Sequence, residues 1–276
     1  MSLTERPGKP QPASYGDVPD RSPLFTGVGV ALVTLFDDDR GVDAPATAEH
    51  AARLVDLGVR AVVVAGSTGE ADALDDDERA RLLTAVRAAV PPTGEAKVLA
   101  GTGAPWARQA AARVAAARDG GADGVLVLSP RGTSDPRHYY DEVAAAAGDL
   151  PVLAYHFPKV SAPGIALDLL PDLPVAGCKD SSGDAERLLA TLTSWDGWLY
   201  VGSAALLSYA GPLGATGAIL ALANAEPQLC AAAFTGDAGA QRSLAPAHLH
   251  AARSFPGGIK ELTARRFATS TVSRLG

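Results

Sequence analysis

The sequence predicts an α/β protein, a (β/α)8 TIM barrel with a short C-terminal helical extension. From Gly27 onward, short apolar runs of the kind buried on both faces alternate with longer segments of helical period, which is typical of a parallel sheet. There are eight such runs, and 276 residues are enough for the roughly 250 that such a barrel needs. An open doubly wound sheet is the alternative, but its edge strands would be left unpaired.

The predicted strands are short apolar runs. They cover residues 29–34, 61–65, 97–100, 124–128, 152–155, 175–178, 198–201 and 218–222. If the barrel closes, the chemistry belongs to the loops that follow the carboxyl ends of these strands.

The segments between the strands carry helix signals. Apolar residues over 48–55 recur on one helix face, and Gly58 follows where a helix end favours a left-handed residue. Asp75 with Glu78 three residues later predicts a capping box at the start of the next helix. These helices supply the outer layer of the barrel.

The chain divides into three predicted regions. Residues 1–25 are polar and rich in proline, and we expect a loosely ordered N-terminal extension. Residues 26–235 form the barrel, and residues 236–276 form a C-terminal helical region over 238–253 and 257–269.

Composition and charge exclude several classes of function. The formal net charge of −7 and the lack of a basic run argue against nucleic acid as a partner. Two distant cysteines, Cys178 and Cys230, without a CxxC motif indicate neither a disulfide framework nor a zinc site. No run approaches the roughly 18 apolar residues of a membrane-spanning helix, so we expect a cytoplasmic protein with no membrane partner.

Lys179 is the first candidate for chemistry. It is one of five lysines and comes directly after the apolar run 175–178, where its amine would face the mouth of the barrel. Burial there would favour the neutral amine, which can attack a carbonyl carbon. The alternative is a lysine that extends from a strand end into solvent, and position alone favours that alternative.

Tyr155 ends another predicted strand and would reach the same face as Lys179. Its phenol could pass protons to and from substrate oxygens. A core aromatic residue with a satisfied hydroxyl is an equal alternative. The adjacent His156 is a weaker candidate, and we expect it to pack.

A loop at residues 66–70 (Gly-Ser-Thr-Gly-Glu) follows the second predicted strand. The hydroxyls of Ser67 and Thr68 and the backbone N–H groups could bind a carboxylate. Taken alone, the motif is equally consistent with a simple loop, and Glu70 could serve to anchor it. The loop lacks the lysine of a phosphate-binding P-loop, and no HExxH, GxSxG or strand-linked GxGxxG motif occurs. No metal site is predicted.

Together these segments resemble the dihydrodipicolinate synthase/N-acetylneuraminate lyase family. The resemblance is carried by residues 66–70, 155–158 (Tyr-His-Phe-Pro) and 177–183 (Gly-Cys-Lys-Asp-Ser-Ser-Gly), in this order and spacing. Residues 101–103 (Gly-Thr-Gly) and 201–203 (Val-Gly-Ser) also match.

The resemblance extends over about residues 27–227 and implies a class I, Schiff-base pyruvate aldolase. The implied catalytic residues are Lys179 as the Schiff-base lysine, Tyr155 as the proton shuttle, and Thr68. The implied substrate-binding residues are Ser67, Thr68, Gly202 and Ile219. The family implies a 2-oxo acid such as pyruvate and an aldehyde as ligands, a homo-oligomer (dimer or tetramer), and no cofactor, because the iminium itself is the electron sink.

Departures from the family narrow the substrate. Residues 129–133 stand where synthases of lysine biosynthesis carry a paired tyrosine, and residues 158–162 lack their arginine. Residues 203–205 (Ser-Ala-Ala) replace the polyol-binding acidic residues of sialic acid lyases. Arg131 and Lys159 could form a new anion-binding rim.

The predicted function is therefore reversible aldol cleavage or condensation of a 2-keto-3-deoxy sugar acid or a smaller hydroxy-oxo acid. Three alternatives stay open: a dehydratase or hydratase that uses the same lysine, a 4-hydroxy-tetrahydrodipicolinate synthase, and a barrel that binds a ligand without turnover.

Overall fold

Residues 22–275 are described by a computed structural model, and they contain a closed barrel of eight parallel strands. The predicted fold class is confirmed, including the helices at its C-terminal end. Most of the predicted N-terminal extension lies outside the described residues. The division into three regions stays a prediction.

The strands follow one another around the barrel, and the eighth pairs with the first. They are β1 (Gly27–Ala31), β2 (Ala61–Val64), β3 (Lys97–Gly101), β4 (Gly124–Leu128), β5 (Val152–His156), β6 (Gly177–Asp180), β7 (Trp198–Val201) and β8 (Gly217–Leu220).

The helices form the outer layer and the C-terminal extension. They are α1 (Ala44–Asp56), α2 (Asp76–Ala89), α3 (Ala107–Asp119), α4 (Arg137–Ala147), α5 (Ala185–Ser194), α6 (Leu207–Ala210), α7 (Pro227–Phe234), α8 (Ala238–Arg253) and α9 (Gly257–Phe267). Between β5 and β6 the chain forms a 3-10 helix, Leu167–Asp172, which contains Pro171. Proline lacks the N–H that a continuing α-helix would need there.

The predicted helix ends are confirmed. The Asp75 side chain accepts from the Glu78 N–H, and the Glu78 side chain accepts from the Asp75 N–H, which completes the capping box of α2. Gly58 has a φ of 95°, the left-handed backbone expected after α1.

The sixth strand lies two residues further along the chain than predicted. It covers Gly177–Asp180 instead of 175–178, so Lys179 lies inside β6. The prediction followed the apolar run. Backbone pairing with β5 continues into polar residues, because the ladder needs only N–H and C=O groups.

Two layers of apolar side chains surround the strands. The larger layer lies between the strands and the helices. The smaller fills the barrel interior and includes Phe25, Leu153, Tyr155 and Tyr200. Phe25 stacks on Tyr200 with ring centroids 4.5 Å apart, and the Tyr200 hydroxyl donates to the Phe25 carbonyl at 2.9 Å. Because Phe25 precedes β1, this pair closes the amino-terminal end of the barrel and leaves the carboxyl end for the site.

The C-terminal helices pack beside the barrel mouth. The predicted bounds of α8 are confirmed, and α9 ends at Phe267, slightly before the predicted end. Among residues 22–275, no helix combines the length and the apolarity required to cross a bilayer.

Asn224 joins the two ends of the closed sheet. Its side chain is fully buried, donates to the Ala31 carbonyl at 2.7 Å and accepts from the Val33 N–H at 3.1 Å. Asn224→Ala leaves both backbone groups of the first strand region without these partners. We expect the free energy of unfolding to fall by roughly 2–4 kcal/mol, since buried unsatisfied polar groups are costly.

Urea denaturation followed by circular dichroism measures this change. Gln228→Ala is the matched control, because its exposed amide accepts only from Arg266 on the surface, and we expect a change below about 0.5 kcal/mol. Equal stabilities of the two variants would contradict this role for Asn224.

Candidate active site

The candidate site lies at the carboxyl ends of β5 and β6. Tyr155 and Lys179 are direct partners in the register of these strands, and Lys179 is also the partner of Tyr200 on β7. Side chains alternate along a strand, so Tyr155 and Lys179 both point into the barrel. The Lys179 Nζ lies 4.2 Å from the centroid of the Tyr155 ring.

The Lys179 amine is buried and lacks a carboxylate partner among the described residues. Only 4% of the residue is exposed, and burial lowers the pKa of Lys179 to about 7. The neighbouring Asp180 is on the opposite face of β6 and pairs with Arg187, Nε to Oδ2 at 2.8 Å. A substantial fraction of the Lys179 amines is therefore neutral near pH 7.

Tyr155 keeps its proton in this environment. Burial raises the pKa of Tyr155 to about 12, against the opposing effect of hydrogen bonds with the side chains of Ser181 and Ser67. The Ser181 Oγ lies 3.5 Å from the Tyr155 hydroxyl. Tyr155 is thus a proton donor beside a nucleophilic amine.

Ser67 and Thr68 lie in a short 3-10 turn, Ser67–Gly69, after β2. Thr68 is buried, and the turn is held against the end of β1 by Thr34, whose Oγ1 donates to the Gly69 carbonyl at 2.7 Å. The backbone that carries the two hydroxyls is therefore anchored, and the Ser67 hydroxyl is hydrogen-bonded with Tyr155.

Gly202 leaves room for the reactive lysine. A Cβ at this position would lie 3.1 Å from the Lys179 Cε and would overlap the Ser181 Oγ. A larger residue would displace one of these groups.

A cavity of about 490 Å³ opens above Lys179. Its walls include Phe157 and the alanines 204 and 205, and α8 with the loop and helix after it contributes His248, Phe255 and Ile259. Sequence reasoning missed these last three, because no chemical motif distinguishes them. A pocket-facing position on α8 could be found only from its packing.

Four of the predicted site residues line this cavity: Thr68, Tyr155, Lys179 and Gly202. Ser67 lines a smaller cavity of about 180 Å³ on the other side of Tyr155. Ile219 does not reach the wall of either cavity, and is fully buried in the inner core of the barrel.

Arg131 and Lys159 do not form the expected common rim. Lys159 borders the cavity above Lys179, whereas Arg131 borders another cavity and donates to the Val160 carbonyl at 2.9 Å. His156 packs as expected, with its Nδ1 accepting from the Ile165 N–H at 2.9 Å. In the described part of the chain, no three histidine, cysteine or acidic side chains come together as a metal site.

Comparisons with known proteins point to one family. The dihydrodipicolinate synthetase family matches residues 24–265. An uncharacterized DapA-like lyase of Halobacterium salinarum is 39% identical over 213 residues, which are 74% of this chain and 69% of that protein. A 4-hydroxy-tetrahydrodipicolinate synthase of Salinibacter ruber is 34% identical over 233 residues, covering 79% of this chain and 76% of that protein.

A solved structure is similar over most of both chains. YagE, an Escherichia coli K12 prophage protein of the dihydrodipicolinic acid synthase family in complex with pyruvate, has 26% identity and a TM-score of 0.82. The match covers 91% of this chain and 92% of YagE.

The lowered pKa of Lys179 predicts unusual reactivity at neutral pH. Competitive acetylation over a pH series, read by peptide mass spectrometry, measures the neutral fraction of each amine. We expect the labelling rate of Lys179 to rise with pH through a midpoint at about 7 and to level off one to two pH units above it, whereas the side-chain amine of an Nα-acetylated lysine amide in the same tube has its midpoint at about 10.4. A Lys179 midpoint close to that of the lysine amide would contradict the desolvated amine.

Proposed function

The chain belongs to the dihydrodipicolinate synthetase family, and on this premise we propose that Lys179 forms a Schiff base with pyruvate or another 2-oxo acid. The reaction is reversible aldol cleavage or condensation with an aldehyde. Membership confirms the predicted family and the prediction that the chain is a lyase. The observation that carries the finer proposal is the buried, unpaired Lys179 amine beside the Tyr155 phenol.

Schiff-base formation begins with the neutral amine. The Lys179 nitrogen attacks the C2 carbonyl carbon of the 2-oxo acid and gives a carbinolamine. Tyr155 donates a proton to the leaving oxygen, water departs, and a protonated imine remains. A pKa of about 7 for Lys179 supports the first step, and a pKa of about 12 for Tyr155 means that the phenol still carries its proton at neutral pH.

Carbon–carbon bond chemistry follows from the imine. In condensation, the Tyr155 phenolate left by the dehydration step takes a C3 proton, and an enamine forms. The enamine C3 then attacks the aldehyde carbon while Tyr155 returns the proton to the aldehyde oxygen. Cleavage is the reverse, and the iminium accepts the electron pair of the broken bond. Hydrolysis then frees Lys179. Ser67 and Thr68 hold the carboxylate of the 2-oxo acid and so orient C2 toward the amine.

The cavity wall favours a short aldehyde partner. Among residues 22–275, no aspartate or glutamate borders the cavity of Lys179. Ser181, Ser182 and Ser203 supply hydroxyls on one part of the wall, but the alanines at 204, 205, 251 and 252 offer no side-chain hydrogen bonds to a polyol. Lys159 borders the same cavity and supplies positive charge near its rim. His248 also borders it, but burial and the nearby Lys159 lower the pKa of His248, so its imidazole is neutral near pH 7. A smaller hydroxy-oxo acid therefore fits this wall better than a long 2-keto-3-deoxy sugar acid.

The second candidate is a 4-hydroxy-tetrahydrodipicolinate synthase, which the name of the Salinibacter relative favours. Synthases of lysine biosynthesis carry a paired tyrosine for proton relay at the positions that match residues 129–133. These residues include no tyrosine here, which argues against this synthase. A dehydratase using the same lysine would release water without an aldehyde.

We also propose a homo-oligomer, a dimer or tetramer, on the basis of the family.

Turnover of pyruvate with a panel of short aldehydes, and the reverse cleavage coupled to pyruvate detection, tests the proposal. Lys179→Met keeps a buried side chain of similar length without the amine, so we expect turnover to fall at least about 1,000-fold, as for loss of a covalent nucleophile. Lys97→Met is the control, because Lys97 begins β3 at the opposite end of the barrel.

The products separate the alternatives. Consumption of aspartate semialdehyde with pyruvate would support the synthase, and loss of water alone would support the dehydratase. Saturable pyruvate binding without any product would overturn the aldolase and leave a ligand-binding barrel.

A further inference from the structure

Glu70 ends the turn that carries Ser67 and Thr68, and its backbone adopts an uncommon conformation. Its φ and ψ are 56° and 44°, in the left-handed region that favours glycine. Ala65, on the other side of the turn, has a φ of 51°. Non-glycine residues keep such conformations only where surrounding contacts hold them. The shape of the turn therefore depends on what binds Glu70.

The Glu70 carboxylate is fully buried and is bound from the C-terminal end of the chain. Lys260 of α9, also fully buried, lies with its Nζ 2.5 Å from the Glu70 Oε1. The other oxygen, Oε2, accepts from the Ser273 hydroxyl at 2.9 Å and from the N–H groups of Arg274 and Leu275, both at 2.8 Å. Four donors thus converge on one carboxylate.

Three of these donors belong to a segment that we name the clasp, residues 272–275. Lys260 also donates to the Val272 carbonyl at 2.6 Å, which links the ion pair to the start of the clasp. Arg274 forms two hydrogen bonds with Glu78 in the first turn of α2, at 2.7 and 2.8 Å, and donates to the Ala73 carbonyl at 2.8 Å. The clasp therefore binds the chain at Glu70, before Ala73, and at Glu78, after it.

The same segment reaches the site. Leu275 borders the smaller cavity together with Ser67 and Tyr155. Within residues 22–275, no hydrogen bond or ion pair joins the clasp to Lys179. Any effect of the clasp on catalysis would therefore act through the turn that carries Ser67 and Thr68.

We propose that Glu70 is a positioning residue for substrate binding, and that Lys260 and the clasp hold it so that Ser67 and Thr68 face the carboxylate of the 2-oxo acid. The role of the two hydroxyls in this statement rests on the proposed function. Thr34 is a second, independent anchor of the turn through the Gly69 carbonyl. Weakening the clasp should loosen the turn and leave the barrel folded.

Ser273→Ala is the sharpest variant, because it removes one donor to Glu70 and keeps the Lys260 ion pair. Removing Lys260 or Glu70 would leave a buried charge unpaired and endanger folding. Thr271→Ala is the matched control, an exposed residue just before the clasp.

The first readout is the pyruvate dependence of Schiff-base formation on Lys179. For Ser273→Ala we expect the half-saturating pyruvate concentration to rise by roughly 3- to 10-fold, in line with losing one hydrogen bond to a charged group, at an unchanged limiting rate. For Thr271→Ala both values should match the unaltered protein. An equal loss of limiting rate in both variants, or no change in either, would overturn the proposal.

The second readout does not depend on the proposed function. Hydrogen exchange of the backbone amides over residues 66–71, without substrate, should quicken at least about 3-fold in Ser273→Ala and stay unchanged in Thr271→Ala. Unchanged exchange in both would overturn the coupling even if pyruvate reacts. If the unaltered protein forms no adduct with pyruvate, the proposed function fails, and this exchange result alone decides whether the clasp holds the turn.

Discussion

Desolvation of one lysine is the constraint around which the site is arranged. Moving the pKa of Lys179 from 10.5 to about 7 corresponds to a penalty on the charged form on the order of 5 kcal/mol. The surroundings maintain this penalty. Asp180 turns away to Arg187, Gly202 leaves space around the side chain, and the ring of Tyr155 covers the amine. A carboxylate in contact with the amine would restore the charge and remove the nucleophile.

A second buried lysine, Lys260, has the opposite environment, because a carboxylate contacts its amine. Lys260 is as buried as Lys179, and each amine lies 4.2 Å from the centroid of an aromatic ring, but the Lys260 amine also lies 2.5 Å from the Glu70 carboxylate. Burial lowers the pKa of Lys260 as well, and Glu70 acts in the opposing direction. The presence or absence of a contacting carboxylate therefore distinguishes Lys260, which links two segments of the chain, from Lys179, whose amine is available to react.

Much of the fold and part of the site could be predicted from local sequence. Strand and helix alternation, the Asp75 capping box and the strand-end positions of Lys179 and Tyr155 are all short-range patterns, and the structure brings Lys179 and Tyr155 together in register. The sequence predicts β6 two residues too early, because apolar side chains indicate burial and do not show which residues pair through backbone hydrogen bonds.

Long-range contacts account for what sequence could not predict. The binding of Glu70 by Lys260 and the clasp joins residues from opposite ends of the barrel sequence, and nothing near Glu70 indicates its partners. His248 and Ile259 reach the cavity only because α8 and α9 pack at the barrel mouth. The family resemblance implies that Ile219, in β8, lines the pocket, but its side chain is enclosed in the inner core of the barrel.

Trapping the imine tests directly whether Lys179 is the reactive amine. The protein is incubated with pyruvate and borohydride, its intact mass is measured, and peptides are mapped to locate the reduced adduct. We expect one adduct per chain, on Lys179, formed at neutral pH. A folded protein that gains no adduct, or gains it on another lysine, would contradict the assignment of Lys179 as the reactive amine.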